Sequence, residues 1–130
     1  MSDVIDDLIK SCDFTETDVM RATQGECMWF AIALHKILQE RQIETLLMVA
    51  TRGPRGLMQV NWAHALIRRR RTHHYYDIRG RVLPSDIHRQ FRTACIVVRS
   101  KEMILADSWF GTQANPVADW HDRLVGESHG

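Results

Sequence analysis

Three residues of this sequence have the types and the order to do covalent chemistry together: Cys27, His64 and Asp77. Cys27 follows the Gly-containing break Gln24-Gly25-Glu26 and opens a run in which Phe30, Ala31, Leu34, Ile37 and Leu38 recur at i, i+3, i+4, i+7 spacing. That spacing predicts a core helix from Cys27 to about Glu40. At the first turn of a helix, unpaired backbone N–H groups and the macrodipole present roughly half a positive charge, which favours a thiolate, the reactive form of cysteine. A thiolate that attacks an acyl carbon needs a base within hydrogen-bond reach and a third group that fixes the imidazole tautomer. His64 can serve as the base and Asp77 as the orienter. The Cys27 backbone N–H and the Gln24 side chain are the nearest candidates to stabilise an oxyanion. Each residue also has a plainer reading: Cys27 as a small apolar residue on a buried stripe, His64 as a satisfied core histidine, and Asp77 as a cap on the Arg79-Gly80 turn.

The elements that must position these residues read as an α+β order, helices first and then a mostly antiparallel sheet. Val4, Ile5, Leu8 and Ile9 behind Ser2 or Asp3 predict a first helix, and Thr15 to Asp18 is a cap signal for a second. After the core helix the period changes. Thr45 to Thr51 and Met58 to Arg70 predict two strands joined by Arg52-Gly-Pro-Arg-Gly56, the first of them open to burial on both faces. In the second, Trp62, His64 and Leu66 alternate with Ala63, Ala65 and Ile67, and the pattern leaves open which set faces the core. His74 to Ile78 predicts a third strand, Leu83-Pro-Ser-Asp86 the start of a short helix through about Phe91, and Ala94 to Arg99 and Met103 to Ala106 two more strands. Asn115-Pro116 opens a last helical turn with Trp120, and the end from Gly126 is expected to be mobile. Residues 1–130 read as a single domain.

Gly25-Glu-Cys27-Met-Trp-Phe30, then Trp62-Ala-His64-Ala-Leu-Ile, then Tyr75-Tyr76-Asp77-Ile-Arg-Gly80, resembles the Cys, His, Asp core of the papain-like and transglutaminase-like cysteine enzymes. The resemblance spans Gln24 to Gly80. It implies a nucleophile-bearing helix packed on the sheet, with Cys27 as nucleophile, His64 as general base and Asp77 as its orienter. It further implies a thiol hydrolase acting on amide bonds through a thioester, as a glutamine deamidase or a cysteine protease of a protein substrate, with no cofactor. A transglutaminase would need a second channel walled by aromatics for the amine, for which Trp62 and Trp109 are the candidates. A catalytically silent binding module on the same fold is the alternative outside enzymology.

Such a module would use the Arg68 to Arg71 run, residue by residue Arg68, Arg69, Arg70 and Arg71, to engage an acidic protein or, less readily, a phosphate backbone with Tyr75 and Tyr76 stacking. If that strand lies at a sheet edge, the same run simply keeps the edge solvated. His73 and His74 are adjacent and would point to opposite strand faces, so no metal site is expected. Cys12 and Cys95 read as structural, and three cysteines without C-x-x-C spacing argue against a disulfide framework or a thiolate zinc site.

Composition fits one ordinary globular domain: 45% apolar, 25% charged, and 17 Lys+Arg against 16 Asp+Glu for a net charge of +1. That balance gives no global pull toward nucleic acid. The longest uncharged apolar stretch, Cys27 to Leu34, is far shorter than the roughly 20 residues that cross a bilayer. With an acidic N-terminus in place of a basic signal region, the chain is expected to be cytoplasmic where it is made, delivery into another cell as an effector being left open.

Brief iodoacetamide treatment at about pH 6, where an ordinary thiol is almost wholly protonated, should label Cys27 ahead of Cys12 and Cys95. Peptide mass spectrometry reads the order, and earlier labelling of either other cysteine would count against Cys27 as the nucleophile.

Overall fold

The computed structural model describes residues 3–52, 62–106 and 117–129. Asp3 starts the first helix, α1 (Val4–Ser11), by accepting the backbone N–H groups of Ile5 and Asp6 at 3.1 Å each. Thr15 and Asp18 form a capping box at the start of α2 (Glu16–Gln24). The core helix α3 (Cys27–Glu40) begins where expected and is apolar nearly all round, because it is covered on several sides.

The sheet follows. Its strands are β1 (Thr45–Thr51), β2 (Trp62–Arg69), β3 (Tyr75–Asp77), β4 (Gly80–Val82) and β5 (Cys95–Val98), with the helix α4 (Pro84–Phe91) between the last two. They pair antiparallel throughout in the order β4-β3-β2-β1-β5. Two further helices, α5 (Lys101–Ala106) and α6 (Val117–His129), complete a mixed α+β fold of six helices and five strands among the described residues.

Both faces of the sheet are covered, which is why β1 is buried along nearly its whole length. On one face Leu47, Val49, Ala65, Ile67 and Tyr76 pack with α1, α3 and α6. On the other, Met48, Ala50 and Leu66 pack under Ile87 of α4, with Phe91 and Tyr75 at the margin. Phe14, Phe30 and Trp120 meet edge to face at centroid distances of 5.4–5.8 Å and bind α6 to α3. Arg123 of α6 reaches Asp18 of α2 through two bonds of 2.6 and 2.8 Å, and that guanidinium holds the Asp18 carboxyl well below the usual carboxylate range.

Four sequence expectations change. Met103 to Ala106 belongs to the helix α5 and not to a strand: Ser100 caps it, its hydroxyl accepting the Met103 N–H at 3.2 Å while its carbonyl accepts that of Ile104 at 2.9 Å. The last helix runs from Val117 through His129 in place of a single turn, because Trp120 and Leu124 are buried at helical spacing. The Arg-bearing strand β2 lies inside the sheet between β1 and β3, so Arg68 and Arg69 do not guard an edge, and Arg70 and Arg71 stand in the exposed turn beyond it. Gly80 to Val82 form the short strand β4 where the sequence signals only the Arg79-Gly80 turn, because three residues are too short for a strand signature. Residues 58 to 61 of the expected second strand lie outside the described residues, as do Trp109 and Phe110.

α1 closes the β4 end of the sheet through its acidic residues. Asp6 accepts the Arg81 backbone N–H at 2.8 Å, and Asp3 accepts the Tyr76 hydroxyl at 2.7 Å. The close approach depends on Gly80, which has φ +94° and where any Cβ would collide with Asp6 Oδ1. Gly80→Ala should therefore cost about 1–3 kcal/mol in a urea unfolding experiment, from the positive φ alone. An unchanged midpoint would mean that the turn does not hold Gly80 at this positive φ.

Candidate active site

The sheet brings His64 and Asp77 together although they are thirteen residues apart. The key local feature is a bulge. Opposite β1, Ala50 pairs with His64 but the next residue, Thr51, pairs with Trp62, so Ala63 is the extra residue. The bulge breaks the expected alternation: Trp62 packs with the core on the α3 side, while His64 shares the α4 side with Ala50 and Leu66. Without it Trp62 and His64 would share a face. β3 pairs with β2 only at Tyr75 and Tyr76, and Asp77 follows directly, beside the stretch of β2 that carries His64.

His64 Nε2 lies 2.9 Å from Asp77 Oδ2, with the imidazole fully buried and the carboxylate 2% exposed. The Asp77 carboxylate is also gripped by Arg79. Its Oδ1 accepts the Arg79 backbone N–H at 2.9 Å and Nε–H at 3.2 Å, and its Oδ2 accepts Nη2–H at 2.6 Å. The turn-capping role and the His64 contact thus belong to the same carboxylate at once. Burial would push the Asp77 carboxyl up, but His64 and Arg79 outweigh it and hold it below its ordinary value. An ionised Asp77 can only accept, so Nε2 carries the proton and neutral His64 has its lone pair on Nδ1.

Nδ1 is buried and has no hydrogen-bond partner among the described residues. Burial would hold the His64 ring neutral, yet the hydrogen bond to Asp77 and the interaction with the Cys27 thiol together raise its pKa. Cys27 therefore acts on the same imidazole that Asp77 orients, from the first turn of α3, and is itself only 6% exposed. Held this way, the imidazole keeps its Nε2–H on Asp77 and presents Nδ1 as the nitrogen able to accept a proton.

Cys27 is delivered by a pinned junction. Glu26, the residue before it, accepts from Arg21 at 2.8 and 3.1 Å and from Trp120 Nε1 at 3.2 Å. Gln24 is exposed at the end of α2, on a shallow cavity of about 470 Å³ lined also by Thr17, Met20, Arg21, Gly25 and Glu26. Trp62 is half-buried beside the α3 core. Arg70 and Arg71 stand past the other end of β2, and at about 3.3 Å per residue that puts Arg70 roughly 20 Å along the chain from His64. Cys12 donates to the Leu8 carbonyl at 3.3 Å, and Cys95 is half-buried on β5. Among the described residues no three His, Cys, Asp or Glu side chains gather as a metal site, and no helix is long and apolar enough to cross a membrane.

Three neighbours of the triad escaped the sequence reading. The Phe91 ring stacks on His64 at 4.2 Å and 11°, Arg79 clamps Asp77, and Gln90 accepts from Arg79 Nη1. Arg79 stood in view two residues after Asp77, where an Asp-x-Arg turn invites self-pairing. Phe91 and Gln90 carried no local signal.

Asp77→Asn should lower the His64 titration midpoint by about 1–3 pH units, since an amide keeps the hydrogen bond but not the charge. Imidazole C–H signals followed by NMR read it, and an unmoved midpoint would mean that the pair is not ionic. The sign extends to stability. The raised imidazole contributes stability that is complete below its unfolded value of about 6.5 and fades as pH climbs through the folded value. The lowered carboxyl contributes stability that is present above its unfolded value of about 3.9 and is lost as pH falls through the folded value. The pair therefore stabilises most between about pH 4 and 6.5, and the Asn variant should flatten that window.

Comparison of the chain with protein-family models, curated proteins and solved structures gives no match, so the reading of this site rests on its own residues.

Proposed function

We propose that this chain is a small thiol hydrolase acting on amide bonds through Cys27, His64 and Asp77, on the plan of the papain-like and transglutaminase-like enzymes. The observation that carries the reading is the buried His64–Asp77 pair, 2.9 Å apart at Nε2, with the Cys27 thiol among the groups that raise the pKa of the same imidazole. Each of the three residues has a common structural explanation by itself. A structural explanation does not require all three on one imidazole.

In the reaction, His64 Nδ1 takes the thiol proton and Cys27 Sγ attacks the amide carbonyl carbon. The imidazolium then returns that proton to the departing nitrogen, the C–N bond breaks, and a thioester remains on Cys27. Water, losing a proton to Nδ1, attacks the thioester and restores the thiol. Asp77 keeps Nε2–H in place throughout. The backbone N–H of Cys27 and the Gln24 amide are the donors proposed for the oxyanion. Water is the proposed acceptor, since transfer to an amine would need a second channel that excludes water while the thioester waits.

A second reading has its own support. Phe91 lies flat on His64 and Cys27 is nearly covered, which suits a silent scaffold that binds a partner elsewhere, through Arg70 and Arg71 for instance.

Intact-mass analysis of candidate protein substrates incubated with the protein and a labelled primary amine separates these readings. A gain of about one mass unit marks glutamine deamidation, fragmentation marks proteolysis, and incorporated amine marks transamidation. Cys27→Ala and His64→Ala should each reduce turnover by roughly a thousandfold or more, with Asp77→Asn retaining a residue of activity. The absence of any change dependent on Cys27 would overturn the enzyme reading in favour of the binding module.

A further inference from the structure

We propose that Arg79 is a positioning residue of the triad, turning Asp77 so that one carboxylate oxygen receives His64 Nε2–H, and tying that carboxylate to the helix end that carries Phe91. The inference deepens the proposed function and rests on its triad, but its test does not require turnover.

Capping the turn after Asp77 needs only the Arg79 backbone N–H, which Asp77 Oδ1 already accepts at 2.9 Å. The side chain does more. Its Nε–H joins the same oxygen at 3.2 Å, and its Nη2–H reaches Oδ2 at 2.6 Å, the oxygen that also receives His64. With the backbone N–H on one oxygen and the imidazole on the other, the fork adds a second donor to each and holds the carboxylate plane more firmly. A carboxylate that is 2% exposed also has to fill its acceptor sites to remain ionised, and the imidazole fills one of them.

The remaining Arg79 nitrogen, Nη1, donates to Gln90 on the last turn of α4. The next residue is Phe91, stacked on His64. One guanidinium thus connects the group under the imidazole edge to the helix end that covers its face. Arg79 is 30% exposed along its side chain, so the clamp is shielded without being sealed. The groups that act on His64 are Cys27 from α3 and Asp77 from β3, with Arg79 of the β3–β4 turn on that carboxylate and the uncharged Phe91 of α4 on the ring, while Asp86 and Arg89 of α4 pair with each other and His88 bonds Thr93. Arg79 is the cation of this set, and a nearby positive charge restrains the proton affinity of everything beside it.

The test titrates His64 by NMR in a Cys27→Ala background, which removes the coupled thiol. Arg79→Gln should broaden the His64 Nε2–H signal as the freed carboxylate rotates and move the midpoint by about one pH unit or more, and Arg79→Lys, which keeps the charge without the fork, should return the midpoint towards the parent while leaving the signal broad. A folded Arg79→Gln protein with an unmoved midpoint, even one less stable to heat, would make Arg79 turn glue only and overturn the proposal. Should Arg79→Gln not fold, Arg79→Lys decides through the His64 Nε2–H signal: broadening at an unchanged midpoint, from loss of the fork, supports positioning, and a signal as sharp as the parent's overturns it. A lack of turnover in the wild type counts against the enzyme reading and leaves this titration readable.

Discussion

The hydrogen bond between His64 and Asp77 is the contact on which the rest of the site depends. Both groups are withdrawn from water, and a buried carboxylate or imidazolium without a partner costs several kcal/mol. The pair is tolerable only because its geometry is good and its remaining oxygens are filled by Arg79. Once Asp77 is held ionised, the tautomer of His64 follows, and with it the nitrogen left for Cys27. A change in the rotation of one carboxylate would therefore alter the chemistry open to a thiol on another element.

Several pieces of the fold serve that contact. The bulge opposite Ala50 turns His64 to the α4 side while leaving Trp62 with the α3 core. The brevity of β3 places Asp77 at its end, where the chain can fold back on itself through the Arg79 turn. The Arg21, Glu26 and Trp120 set pins the junction that presents Cys27. These are local devices on a sheet buried on both faces, which supplies the rigidity that the proposed proton relay would require.

The covering of the imidazole sets a condition on any substrate. Phe91 lies at the end of an eight-residue helix whose anchor in the sheet is Ile87, and whose tie to the triad is the Arg79 contact with Gln90. A flat aromatic against an imidazole favours its protonated form through the ring face, so Phe91 contributes to the electrostatics as well as to the closure. Access to Cys27 and the proton affinity of His64 are in this way properties of the same few side chains.

Four helices, α1 to α4, were legible from residue order alone: the stripe Phe30, Ala31, Leu34, Ile37, Leu38, the capping residues Asp3 and Thr15, and the Pro84 start of α4 are local signals, and local backbone geometry obeys them. The same order nominated Cys27, His64 and Asp77, because helix start, strand and strand end are one-dimensional features. It misread Met103 to Ala106, where four apolar residues fit either period and the Ser100 cap settled the matter, and it passed over β4, which is too short to have a period. The face of His64 and the neighbours Arg79, Gln90 and Phe91 were decided by tertiary structure. A one-residue bulge reverses alternation without leaving a mark on composition, and Phe91 reaches His64 only after a helix has folded across the sheet. Sequence determined which groups can react; the register of two strands and the seating of α4 decided which of their atoms meet, since those depend on contacts between residues far apart in the chain.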